Sequence, residues 1–84
     1  PDLIMQDENL KQRSLHQIKA KYTVIYFFNP DCGHCKTETP KLVKLYNEQK
    51  DKLNFEVFAV STDTSMADMK RFIKDMKSTW ITVN

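Results

Sequence analysis

Eighty-four residues form one domain with a small core, because a chain this short buries little more than half of the surface it exposes when unfolded. The chain is 40% hydrophobic and 29% charged, a composition that excludes disorder, and its net charge of +2 comes from 13 Lys and Arg spread among 11 Asp and Glu, with no basic block to suggest nucleic acid. No apolar run approaches the roughly 20 residues needed to cross a bilayer. The chain begins at Pro1 without an initiator Met or an apolar signal-like stretch, as a mature or excised piece would, so an upstream signal or lipid anchor stays open.

In chain order, Leu3-Ile4-Met5 reads as a short strand, Asp7-Glu8-Asn9 as a polar turn, and the segment from Leu10 as the return strand of a hairpin. Ser14-Leu15-His16-Gln17 has the form of a capping box ahead of a brief helix with Leu15 and Ile18 on one face. Tyr22 to Phe28 is almost wholly apolar or β-branched, which predicts a central strand covered on both faces. Asn29-Pro30-Asp31 follows as a turn, with Asp31 a turn residue, and Lys36 to Gln49 as a helix. Pro40 is expected to kink that helix, and Leu42, Val43, Leu45 and Tyr46 to form its inward stripe. Lys50-Asp51-Lys52 marks a break before Leu53 to Val60, a second buried strand. Thr62 to Ser65 then caps a helix in which Met66, Met69, Phe72, Ile73 and Met76 recur at three- and four-residue intervals, a core stripe and not a copper or haem site. Thr79 to Val83 opens a further strand. Strands alternating with helices predict an α/β fold of right-handed crossovers, with helices on the two faces of a parallel sheet, and ligand chemistry at the C-terminal strand ends.

The two cysteines of the chain stand at that edge, in Cys32-Gly33-His34-Cys35. One pair is too few for a disulfide scaffold. Cys32 is placed at a helix N-terminus, where unpaired amides and the positive end of the helix dipole favour a thiolate, and Cys35 lies one turn on, within reach of a disulfide. A zinc site needs two more ligands, and only His16 and His34 are available as histidines, which makes zinc the weaker reading. An imidazole at His34 between the cysteines favours the Cys32 thiolate and a more oxidising disulfide; its alternative is a solvated turn residue. Glu38, three residues past Cys35, is either a solvated helix residue or the group that exchanges a proton with Cys35.

Tyr26-Phe27-Phe28, then Asn29-Pro30-Asp31-Cys32-Gly33-His34-Cys35-Lys36, Glu38 and Pro40, together with the opening Pro1-Asp2-Leu3, resembles the thioredoxin superfamily, and within it the TlpA/ResA-like branch of exported thiol-disulfide oxidoreductases. The combination is far more specific than the CxxC alone and covers nearly the whole chain, residues 1–84. The resemblance implies a thioredoxin-like three-layer fold with an added N-terminal hairpin. Three departures stand out. Asp31 occupies the place of a Trp in many members, and its carboxylate opposes thiolate formation. Tyr26 stands where thioredoxin proper has a buried aspartate, so that proton-transfer role passes to Glu38. The cis-proline loop, closing hairpin and last helix begin about where this chain stops, and none of Pro1, Pro30 or Pro40 replaces that proline. The expectation is a partial domain with an unpaired sheet edge open to dimerisation or swapping.

The implied activity is disulfide exchange with protein dithiol or disulfide substrates and a redox partner, with no cofactor. Cys32 attacks, Cys35 resolves, Glu38 manages the proton and His34 tunes the potential. The resemblance implies the envelope or periplasm of a bacterium, in cytochrome c assembly or oxidative stress. The rival is a non-catalytic thioredoxin-like binding or scaffold module. A peroxidase reading is weaker, since Asn29 and not Thr stands three residues before Cys32.

Overall fold

The computed structural model describes residues 2–62 and 65–84. Strands β1 (Ile4–Gln6) and β2 (Gln12–Ser14) pair antiparallel as a hairpin, followed by a single 3₁₀ turn at Leu15–Gln17. Then come β3 (Tyr22–Phe28), α1 (Gly33–Leu53), β4 (Phe55–Ser61), α2 (Met66–Met76) and β5 (Ile81–Val83). The last three strands form a parallel sheet in the order β3-β4-β5.

The hairpin turn is organised by Asp7, whose carboxylate accepts the amides of Asn9 and Lys11 at 2.9 and 3.0 Å and the Arg13 guanidinium at 2.9 Å. Burial pushes the Asp7 carboxyl up, but Arg13 and the two amides outweigh it and hold it below the ordinary carboxylate range. A depressed folded value means that this carboxylate stabilises the hairpin above the unfolded carboxylate range, and that the contribution is lost as pH falls through the lower folded value. The hairpin is tied to the far edge of the sheet by an antiparallel bridge from Asp7 to Val83 and by the Asn84 amide donating to the Gln6 carbonyl at 2.9 Å.

The capping box at Ser14 is not realised. Its hydroxyl donates instead to the Asp2 carboxylate, which also accepts the His16 amide at 3.0 Å. A charged acceptor from outside the turn thus takes the role a neutral hydroxyl was expected to fill. Pro1 lies outside the described residues.

Strand β4 is the true centre of the sheet. Phe55, Val57 and Ala59 face one way, into a cluster with Phe28, Val43, Tyr46, Met69, Phe72 and Trp80. Phe58 and Val60 face the other way, joined by Val83 and covered by Met5, Leu15 and Ile18 of the hairpin side. The expected division of helices between two faces is therefore corrected: α1 and α2 both pack on the first face. Each crossover steps the sheet in the same direction, and two right-handed crossovers in one direction put both helices on one side.

The central, doubly covered β3 is also corrected. It is an edge strand, with Tyr22 58%, Ile25 43% and Phe27 62% exposed, and only Tyr26 and Phe28 are drawn into the core. An all-apolar run reads alike at the centre and at the edge of a sheet, so composition did not separate them.

Helix α1 runs past the expected break at Lys50-Asp51-Lys52 and stops at Asn54, which takes the left-handed conformation at φ 50° and donates its amide to Lys50. Lysines in a last turn are favoured by the helix dipole, so they extend this helix where a break was expected. Its buried stripe is Thr39, Val43 and Tyr46, with Leu42 partly buried, while Leu45 lies outside it, half-exposed. Helix α2 matches expectation: Ser65 caps it by accepting the Asp68 amide at 3.2 Å, and Met69 and Phe72 are buried between Met66, Ile73 and Met76. Of the expected cap segment, Asp63 and Thr64 lie outside the described residues.

Candidate active site

The chain leaves the sheet at Phe28, whose carbonyl accepts both the amide and the hydroxyl of Thr62 at 2.8 and 3.2 Å, so the C-terminal ends of β3 and β4 are clamped together. Beyond it, the Asn29 side chain accepts the Asp31 amide at 2.9 Å, and the Asn29 carbonyl accepts the Cys32 amide at 3.0 Å. This asparagine-led turn, with Pro30 buried beneath it, delivers Cys32 to the helix in a single reversal.

Cys32 is the N-cap residue of α1, in extended conformation at φ −81° and ψ 121°, and its carbonyl accepts the Lys36 amide at 3.1 Å. The helix begins at Gly33, as the position of Cys32 at a helix N-terminus required. A Cβ on Gly33 would meet nothing within 4 Å, so the surface between the cysteines is open to an incoming molecule. Both cysteines are free thiols, partly buried, and stand 3.8 Å apart.

The Cys32 thiol is held below the ordinary thiol range. The Cys35 amide is the main cause, the Cys35 thiol adds a hydrogen bond, the His34 amide a third, and partial burial opposes them. These are the unpaired N–H groups of a first helical turn, aimed at the sulfur of the residue that precedes it. His34 acts on Cys32 through its backbone, with its side chain exposed.

Cys35 faces the core and packs against the same cluster as Tyr26. Glu38 is half-buried on the following turn, 3.5 Å from the Lys41 ammonium, and lines a shallow hollow with Tyr26, Leu42 and Leu45. The Tyr26 hydroxyl is 2.9 Å from the Thr39 hydroxyl, one helical turn past Cys35. Thr39 was not singled out from the sequence, although its four-residue spacing from Cys35 places both on one helix face. Among the described residues no three His, Cys, Asp or Glu side chains gather as a metal ion would require.

The family model described as AhpC/TSA matches residues 1–84. The chain belongs to the AhpC/TSA family. Among its relatives, a "probable nucleoredoxin 1" of Arabidopsis thaliana is 32% identical over 73 residues, which are 87% of this chain and 12% of that protein. The thioredoxin domain of a thiol-disulfide oxidoreductase from Bacteroides vulgatus superposes with a TM-score of 0.85 at 38% identity, over 99% of this chain and 59% of that one. A domain of a possible thiol-disulfide isomerase from Cytophaga hutchinsonii gives 0.87 at 31% identity, over 100% and 58%. This AhpC/TSA chain thus has the thioredoxin-like α/β fold that its resemblance implied, and it spans less than two thirds of the length of each of these relatives.

Proposed function

We propose that this chain exchanges disulfides with protein thiols through Cys32 and Cys35. The observation that carries the reading is the placement of Cys32 at the cap of α1, where the amides of the next turn hold its thiol below the ordinary range, 3.8 Å from its partner. The Cys32 thiolate attacks one sulfur of a substrate disulfide, forming a mixed disulfide and releasing the other substrate sulfur as a thiolate. Cys35 then loses its proton and attacks Cys32; the intramolecular disulfide forms and the second substrate thiolate leaves. The substrate gains two electrons and the dithiol loses two, to be restored by a redox partner.

In this scheme Glu38, three residues past Cys35, accepts the Cys35 proton, and its pairing with the exposed Lys41 leaves it open to exchange with solvent. His34 favours the reduced form through its backbone amide, which stabilises the Cys32 thiolate. An exported setting in a bacterial envelope belongs to the same proposal and is supported by the branch resemblance; no helix among the described residues is long and apolar enough to cross a membrane. The uncharged outer edge of β3 is the place where a second copy would pair. Insulin reduction driven by dithiothreitol tests the assignment: this chain is expected to accelerate it and its Cys32→Ser form to match the uncatalysed rate. Equal rates for both proteins would leave a binding or scaffold module instead.

A further inference from the structure

We propose that the Tyr26 hydroxyl, fixed against Thr39, donates a hydrogen bond to the sulfur of Cys35 and holds it as the thiolate that resolves the mixed disulfide. The inference rests on the dithiol reading above and assigns the second step of that reaction to a residue outside the CxxC.

The tyrosine is held in one orientation. Its ring stacks on Phe28 with centroids 6.0 Å apart and meets Trp80 edge-on at 6.5 Å, while β3 fixes its backbone. The hydroxyl therefore arrives at the face of α1 that carries Cys35 and Thr39, where it meets the fully buried Thr39 hydroxyl at 2.9 Å. With Thr39 donating to the phenol oxygen, the phenol proton is free to turn towards Cys35, which packs against the same cluster. The Glu38 carboxylate, 45% exposed and paired with Lys41, can accept a proton but has none to donate to a thiolate.

The phenol is a donor and not a base. Burial raises its pKa above that of a free tyrosine, the Thr39 hydrogen bond works the other way, and the charge and hydrogen bonding of Cys35 add to the rise. Tyr26 therefore keeps its own proton while Cys35 gives one up to Glu38, as in the scheme above. The Cys35 thiolate then bonds to Cys32, the Cys32–substrate bond breaks, and its electron pair leaves on the substrate sulfur.

A donor that stabilises a thiolate has two opposed effects on rate. It raises the ionised fraction in proportion to acidity, but lowers the nucleophilicity of each thiolate with a Brønsted slope of about 0.4–0.5. For each pH unit of acidity lost with the donor, the thiolate fraction falls about tenfold, nucleophilicity recovers about threefold, and resolution slows about threefold below the titration midpoint. Above it, where every thiol is ionised, the variant is the faster protein.

Ellman's reagent separates the two steps, since Cys32 releases one coloured thiolate on attack and Cys35 a second on resolution. Stopped-flow from pH 5 to 10 on the reduced chain and on Tyr26→Phe is expected to show a second phase slowed about threefold or more at neutral pH, with curves that cross in alkali, while the first phase keeps its pH profile. Thr39→Val should shift the second phase in the same direction and Thr39→Ser should restore it. A second phase in Tyr26→Phe that overlays the parent, or that is lowered by one factor at every pH, would overturn the role of the hydroxyl. Release of only one thiolate by the unsubstituted chain would overturn the dithiol reading itself.

Discussion

Cys35→Ser is expected to trap disulfide substrates as a stable covalent adduct through Cys32, whereas Cys32→Ser forms no adduct and loses turnover by about three orders of magnitude or more, the scale on which removal of a nucleophile acts. The asymmetry follows from the geometry. Cys32 caps the helix, receives its amides and lies beside an open Gly33, so it meets an incoming disulfide. Cys35 is one turn further in and packs on the core cluster, so it reaches only a sulfur already joined to Cys32. A serine at position 35 leaves attack possible and removes the only thiol that can release the product. Non-reducing electrophoresis and mass spectrometry after mixing with oxidised insulin check this. Adducts on Cys35 in the Cys32→Ser protein, in yield equal to those on Cys32 in the other variant, would reverse the assigned roles.

Phe28→Ala is expected to cost about 3–5 kcal/mol, as for other buried phenylalanines. Phe28 is buried to 2% exposure, stacks on Phe72 at 4.7 Å and on Tyr26 at 6.0 Å, and carries the carbonyl that Thr62 grips. Domains have roughly 0.05–0.15 kcal/mol of stability per residue, or about 4–13 kcal/mol for this length. One substitution at the strand end that supports the dithiol thus removes a large share of the total. Urea unfolding read by Trp80 fluorescence measures it; a loss below about 1 kcal/mol would mean that the core is not organised around this ring.

Much of this architecture was legible because local spacing carries it. The four-residue rhythm of Met69, Phe72, Ile73 and Met76 specified α2, and the Asn-Pro-Asp turn between an apolar run and a helix placed Cys32 at its cap. What stayed hidden depends on partners distant in sequence. Whether β3 is central or an edge is decided by which strands pair with it, not by its own apolar residues. Both helices share one face because successive crossovers step the same way, a property of strand order. Ser14 lost its cap to Asp2, twelve residues earlier. Near the dithiol, the Tyr26–Thr39 contact needs the register of a strand against a helix, which no local pattern encodes.

The proposed disulfide exchange turns on a Cys32 sulfur that ionises at a lower pH than an ordinary thiol and is open to substrate. Alkylation of the reduced chain with iodoacetamide across a pH series, with Cys32 quantified by peptide mass spectrometry, tests it most directly. The folded chain should reach half its maximal rate at a lower pH than the same chain unfolded in urea, while Cys35 reacts more slowly. Coincident curves in the folded and unfolded chain, or a Cys32 that resists alkylation at every pH, would contradict it.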